Sequence, residues 1–198
     1  MFQRAREVPG SMTGNGLEQP NETLRTGAGD LPIALESDIF LRKLIRELSG
    51  VIEDVIGIEE AEGFVSVVAQ RMGEWLDASY RDANGVDELD VQQVAAVLVD
   101  LKRRINGGFS IEECSPERIV LVNNACPFGD MVIGRTSLCQ MTSSVFGTIA
   151  AENLGYARVT IDEAIARGDP GCRVIVHLQP QDEVNDSNTM EYFRSLRP

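Results

Sequence analysis

The apolar residues of this chain change their spacing once, near Gly108, and that change limits the fold more than any other feature. From Leu35 to Ile105 they recur at intervals of three and four, the repeat of one helix face. Beyond Gly108 they alternate with polar neighbours, the repeat of a strand with one buried side. Helical segments followed by strands predict an α+β domain with an antiparallel sheet.

Three helices are expected first. Ser37 stands as a cap for one whose apolar face is Phe40, Leu41, Leu44, Ile45, Leu48, Val51, Ile52 and Val55. A second runs from Glu59 to about Arg81, with Phe64, Val67, Val68, Met72, Trp75 and Leu76 turned inward, and Asn84-Gly85 ends it. A third covers Asp90 to about Ile105, with Val91, Val94, Ala95, Leu98, Leu101 and Ile105 inward. Its Lys102-Arg103-Arg104 end reads as the cationic last turn that a helix dipole favours.

The period-two half follows. Phe109 and Ile111 begin one strand, Ser115-Pro116-Glu117 turns the chain, and Ile119 to Val122 return. A long helix runs from Leu138 to Leu154, capped by Thr136 or Ser137 and stopped by Gly155. Ala157, Val159 and Ile161 lie on a third strand, Gly168-Asp169-Pro170-Gly171 forms a turn, and Cys172, Val174, Val176 and Leu178 share one face of a fourth. The predicted architecture is N-terminal helices followed by ββ-α-ββ.

Residues 1–34 are rich in Gly, Pro, Thr, Asn and Gln without an apolar period, and a disordered tail is expected there. Residues 35–180 make a single domain, with a helical part over 35–106 and the sheet and long helix over 107–180. Residues 181–198 form a polar C-terminal tail, in which Met190, Tyr192, Phe193 and Leu196 suggest a short docking helix.

A formal charge of −13 argues against direct binding of nucleic acid or anionic lipid, which both require clustered cations. No apolar run is long enough to span a membrane and no secretion signal opens the chain, so a cytoplasmic location is expected. With a single histidine and no nucleophile-elbow or phosphate-loop pattern, hydrolase and nucleotide chemistry have little to work with.

The chemistry that remains is that of thiols. Cys126 follows a strand, Cys139 begins the long helix and Cys172 follows the hairpin turn, so one end of the sheet is placed to gather all three. Thiolates gathered in this way bind zinc or an iron–sulfur cluster, with Glu163, His177, Cys114 or water as a fourth ligand. The competing reading is that these cysteines are small buried hydrophobes. The long helix adds a second candidate. Cys139, Thr142, Phe146 and Ile149 share a stripe on it, and with Phe128 they suggest a mostly apolar small-molecule pocket. The first helix either packs on its own domain or pairs with its twin in a homodimer.

Four stretches carry a family resemblance: Asn124-Ala125-Cys126-Pro127-Phe128-Gly129, the segment from Leu138 to Gly147, Asn153-Leu154-Gly155-Tyr156-Ala157, and the segment from Ile165 to Val174. Together they resemble the methanogen output domain family. That family is similar to 4-vinyl-reductase-like domains, within the ligand-binding fold shared with nitric-oxide-signalling and Golgi-trafficking proteins. The resemblance implies a sensory or output module, commonly dimeric, working beside signalling partners such as a kinase or regulator. Some 4-vinyl-reductase-like domains hold zinc with a cysteine before the long helix, a Glu-x-x-Cys and a cysteine after the next turn. Cys139, Glu163 and Cys172 match those positions, Ala166 stands where the middle cysteine would be, and Cys126 is placed to replace it.

The expectation is therefore a non-catalytic sensor that binds a metal, a cluster or a small apolar ligand at the cysteine end and signals through a dimer or partner. A metal-free thiol redox switch is the alternative, and it requires an exposed cysteine of depressed pKa. An assembly scaffold and a reductase-type enzyme are further alternatives.

Overall fold

The structure is a computed structural model that describes residues 33, 35–180 and 189–195. The predicted N-terminal tail therefore lies, Ile33 apart, outside the described residues, as do 181–188 and Leu196 at the other end. Everything below concerns the compact unit that begins at Glu36.

Three helices open it: α1 (Ser37–Ile56), α2 (Ile58–Asn84) and α3 (Val91–Arg104). Gly57 separates the first two at φ +90°, a conformation that side-chain-bearing residues rarely adopt. At the start of α3, Asp90 Oδ1 accepts from the Gln93 N–H at 2.8 Å and Gln93 Oε1 accepts from the Asp90 N–H at 2.9 Å, a reciprocal cap. Then come β1 (Phe109–Cys114), β2 (Arg118–Asn123), α4 (Cys139–Leu154), β3 (Tyr156–Glu163), β4 (Cys172–His177) and β5 (Thr189–Phe193). The five strands form one antiparallel sheet in the order β1-β2-β4-β3-β5.

The α+β architecture read from the periodicity is the one observed. Helix α4 lies between the sheet and α2, and its residues from Ser143 to Asn153 are all buried. A helix enclosed on two sides has no solvated face, so buried residues run around its whole circumference, with Ser143, Ser144, Thr148, Glu152 and Asn153 among them. Ile119 and Leu121 of β2, Val174 and Val176 of β4 and Ala157, Val159 and Ile161 of β3 fill the side of the sheet beneath it.

Several expectations are corrected. The segment read as a docking helix around Met190, Tyr192 and Phe193 is strand β5, paired to β3 from Thr160↔Thr189 to Tyr156↔Phe193. A helix that short is unstable alone, whereas the open edge of β3 supplies ready-made backbone partners. Ser37 is the first residue of α1, and the cap position is Glu36, without a side-chain hydrogen bond. Thr136–Leu138 forms a 3-10 turn ahead of α4, and the Ser137 hydroxyl donates to Glu53 of α1 instead of capping.

The larger correction concerns α1 and α2. The apolar stripe of α2, expected inward, lies at the surface, with Phe64, Val67, Val68 and Trp75 exposed; of the two placements open to the α1 stripe, packing on its own domain is not the one observed, and Leu41, Leu44, Leu48, Val51 and Val55 are 42–75% exposed. The buried residues of α2, which packs on α4, are the small Ala61, Ala69 and Gly73, together with Asp77. They are needed because the helices cross closely; a Cβ on Gly73 would stand 2.8 Å from Thr148 Cβ.

Candidate functional site

The residues at one end of the sheet are set by strand register. Phe109 pairs with Asn123 and Asn123 with Cys172, so a row across β1, β2 and β4 carries one side chain from each strand. Beyond β2 the chain turns through Cys126, whose carbonyl accepts from the Gly129 N–H at 2.8 Å. It then makes a 3-10 turn at Gly129–Val132 and enters α4 at Cys139. The 3-10 turn Ile165–Arg167 closes the opposite side, with the Ile165 N–H directed at Cys172 Sγ over 3.5 Å. Val132, Leu138 and Ala166 form a small apolar cluster of their own here, packed by Cys126, Phe128 and Cys139.

These elements enclose a cavity of about 90 Å³. Cys126, Cys139 and Cys172, from three distant parts of the chain, all line it. Phe128 and Thr142 line it as well. Phe146 and Ile149 do not; both are fully buried in the main core one turn and two turns further along α4. Glu163 is exposed and pairs with Arg173 across the β3–β4 ladder, away from the lining. His177 closes the opposite end of β4, and Cys114 sits at the far end of β1 with its thiol towards the Val91 carbonyl. Among the described residues, no group of three or more His, Cys, Asp or Glu side chains is arranged to hold a metal ion.

Sequence reasoning missed Lys102. Read as part of a solvated cationic turn, it is 4% exposed and lines the cavity with the thiols. Its Nζ donates to Thr142 Oγ1 at 2.8 Å and lies 5.6 Å and 5.2 Å from the ring centroids of Phe109 and Phe146. Arg103 and Arg104 do face solvent, both paired with Asp100. The signal was present: Lys102 follows Leu98 by four residues and so shares its inward stripe. Ile105, placed inward from sequence, falls just past the helix end and is half exposed.

Electrostatics at the cavity are set by burial. Burial pushes the Cys139 thiol up to about 12, with the neighbouring Cys172 and Cys126 adding to the shift. Cys126 and Cys172 are raised from the same first cause. Burial acts oppositely on the ammonium and draws Lys102 down to about 8. At neutral pH the site thus holds protonated thiols beside a mostly charged lysine. All four cysteines are free and partly buried, and Cys114 is raised too. The exposed, low-pKa thiol that a metal-free redox switch requires is not found among them. One further polar atom has no partner here: Asn123 Oδ1, buried in the cavity wall.

Helix α1 is tied to this end of the domain. Arg46 donates to the carbonyls of Met131 and, at 3.1 Å, Ile133. Glu53 accepts from Arg135 at 3.1 Å and from Ser137. Both contacts fall on the segment that joins Cys126 to Cys139.

Fold and site together define a small α+β domain with a thiol-lined cavity at one end of an antiparallel sheet and a helical layer held to the cavity's rim. The chain matches the model of methanogen output domain 1 over residues 44–177, and it belongs to that family of small signalling and output domains. No curated protein sequence matches it. Among solved structures it is similar in fold to a trafficking protein particle complex subunit 3 from Naegleria fowleri, crystallised covalently bound to palmitic acid. The TM-score is 0.54 at 13% identity, over 72% of this chain and 95% of that one. Among the described residues no helix is long and apolar enough to cross a membrane.

Proposed function

We propose that this domain is a non-catalytic sensor in which occupancy of the cavity at Cys126, Cys139 and Cys172 is relayed to a partner through α1. The observation that carries the reading is the convergence of three thiols on one cavity whose rim segment is hydrogen-bonded to α1. No carboxylate or imidazole lines the cavity among the described residues, so its titratable groups are the thiols and Lys102. The family membership supports an output role.

Two classes of occupant suit the lining. Thiol donors would take a thiophilic ion, zinc or the iron of an iron–sulfur cluster, if Cys126, Cys139 and Cys172 drew together around it, since as they stand no three such side chains among the described residues are arranged to hold one. Such an ion would tie the 126 loop, the start of α4 and the start of β4 together. The apolar walls suit a small apolar ligand, a reading supported by the acyl group on the structurally similar trafficking subunit. Elemental analysis and visible absorbance of anaerobically purified protein should find about one equivalent of metal per chain, lost in Cys139→Ala and Cys172→Ala along with thermal stability. Metal-free protein whose two variants melt like the parent would end the metal reading and leave the apolar ligand.

The relay proposed is a homodimer that passes the signal to a kinase or other regulator. Leu41, Leu44, Leu48, Val51 and Val55 alternate at three and four residues along the exposed side of α1, the repeat of a two-helix seam. Phe64 and Val68 of α2 are exposed as well, and exposed apolar side chains in this number mark an interaction surface. Light scattering should report twice the chain mass, and Leu44→Glu with Leu48→Glu should halve it without unfolding the sheet. A wild-type chain that remains monomeric at micromolar concentration would remove the dimer.

A further inference from the structure

The positive charge of Lys102 belongs to the thiol cavity. Its Nζ donates to Thr142 Oγ1 at 2.8 Å and lies 5.6 Å from the centroid of the Phe109 ring, and both of those residues line the cavity. It is also close enough to Cys126, Cys139 and Cys172 for their charge to act on its own ionisation. A separate groove of about 490 Å³ between α2, α3 and α4 borders the same lysine, but none of these neighbours lines it. That groove has a cation of its own, Arg104, paired with Asp100 at 2.6 Å.

The cavity therefore holds an ammonium and no anion. Among the described residues its wall contains no carboxylate, and no ion pair includes Lys102. Two further charges felt at the thiols, Arg167 and Asp169, pair with each other at 3.8 Å and lie outside the lining. The other polar groups of the wall are neutral: the Thr142 hydroxyl, the Asn123 amide and the thiols, which burial keeps protonated. Folding has already stripped the 4%-exposed Lys102 of most of its water, so on binding only an incoming anion loses hydration. The remaining walls are apolar, and the volume of about 90 Å³ leaves room for roughly six to nine atom-sized groups. We infer that the cavity binds a short-chain monocarboxylate, its carboxylate on Lys102 Nζ and a hydrocarbon body of about three carbons against Val132, Leu138 and Ile161. A single charge matches a single ammonium, and a carboxylate accepts from Nζ while the Thr142 hydroxyl stays in place. This rests on the reading that the cavity takes an organic ligand, and it names that ligand's head group.

Iodoacetamide labelling of the full-length protein, read by mass spectrometry at each cysteine, both locates and measures binding. Cys114, at the far end of β1 and outside the cavity, is the internal control. Butyrate should slow labelling of Cys126, Cys139 and Cys172 and leave Cys114 unchanged. Half-protection by butyramide should need at least about tenfold more ligand, the difference expected of one charge-assisted hydrogen bond, and butylammonium should give none. Formate carries the charge without the hydrocarbon and should also fall at least about tenfold behind butyrate, since each buried methylene contributes about fourfold. Lys102→Met keeps the stem and removes the charge; it should bring butyrate down to the level of butyramide. Thermal melting checks the fold of this variant, which is expected to be at least as stable as the parent because an uncompensated buried charge is gone. The ligand series on the parent chain decides the matter without any variant. Equal protection by butyrate and butyramide, or a preference for butyrate that survives Lys102→Met, would overturn the carboxylate on Lys102 and leave an apolar occupant standing. Formate as effective as butyrate would overturn the hydrocarbon fit. Protection by none of them would overturn this inference together with the organic-ligand reading beneath it.

Discussion

Replacing Asp77 by alanine is expected to destabilise the domain by about 3–5 kcal/mol, the usual cost of removing one partner from a buried ion pair. Asp77 is 1% exposed in the middle of α2. One of its oxygens accepts from Arg81 Nε at 2.8 Å and the other from Asn153 Nδ2 at 2.5 Å. Asn153 in turn donates to the Ile149 carbonyl and accepts from the Leu89 N–H, both at 2.8 Å. One carboxylate thus links α2, the end of α4 and the turn before α3. Alanine leaves the Arg81 Nε–H and one Asn153 amide N–H without their acceptor, while the Arg81 bond to the Asp87 carbonyl and the Asn153 bond to the Ile149 carbonyl remain. For a domain of this size, the melting temperature should fall by on the order of 10 °C. Asp77→Asn retains an acceptor and should lose less. Because Asn153 lies at the opposite end of α4 from Cys139, thiol labelling rates of the folded variant should match the parent. A shift below about 1 kcal/mol in urea unfolding would show that the network contributes little beyond packing.

A single methyl group added at Gly147 is expected to release β5 and cost about 1–3 kcal/mol. The Tyr192 ring packs against this glycine, and a Cβ built there would stand 2.0 Å from Tyr192 Cδ2 and 2.5 Å from Cγ. Those atoms belong to the root of the side chain, so the ring cannot swing aside without moving the strand. Displacement also breaks the contacts of the Tyr192 hydroxyl with Ser143 and Ser144, at 3.0 Å and 3.2 Å. Hydrogen exchange should accelerate for the β5 amides ahead of the rest of the sheet. In a Tyr192→Ala background the same Gly147→Ala change should have almost no effect, and an additive double mutant would refute the overlap as the cause.

Both cases show where sequence patterns stop being informative. The run from Ser143 to Ala151 announces small residues, and small residues permit either close backbone approach or an open pocket. Which one applies depends on what crosses the helix. Here Gly147 receives Tyr192 and Thr148 receives Gly73. Tyr192 itself was read as part of a helix because an isolated five-residue segment carries no mark of the strand edge waiting for it.

The candidate site was legible in one respect and hidden in another. Cysteines after a strand, at a helix start and after a hairpin turn sit at chain reversals, and in an antiparallel sheet such reversals collect at the ends of the strands. Asn123 and the groove beside Lys102 were hidden, because each depends on side chains from elements far apart in the chain, whereas Lys102 carried a local signal in its spacing from Leu98 that its charge masked. Lys102 shows the limit most clearly. Its two neighbours, Arg103 and Arg104, are the solvated cations that the composition suggested, while a rotation of 100° per residue carries Lys102 into the core.

Local repeat alone determined that the domain from Glu36 opens with helices, turns to strands near Gly108 and closes as an α+β fold, since period is a property of neighbours along the backbone. Only the tertiary structure decided which apolar face is covered. The stripes of α1 and α2 match a buried face in every residue, yet α4 took the small-residue side of α2 and left them in water. A hydrophobic face is specified by its own residues; its partner is specified by the shape of whatever can approach it.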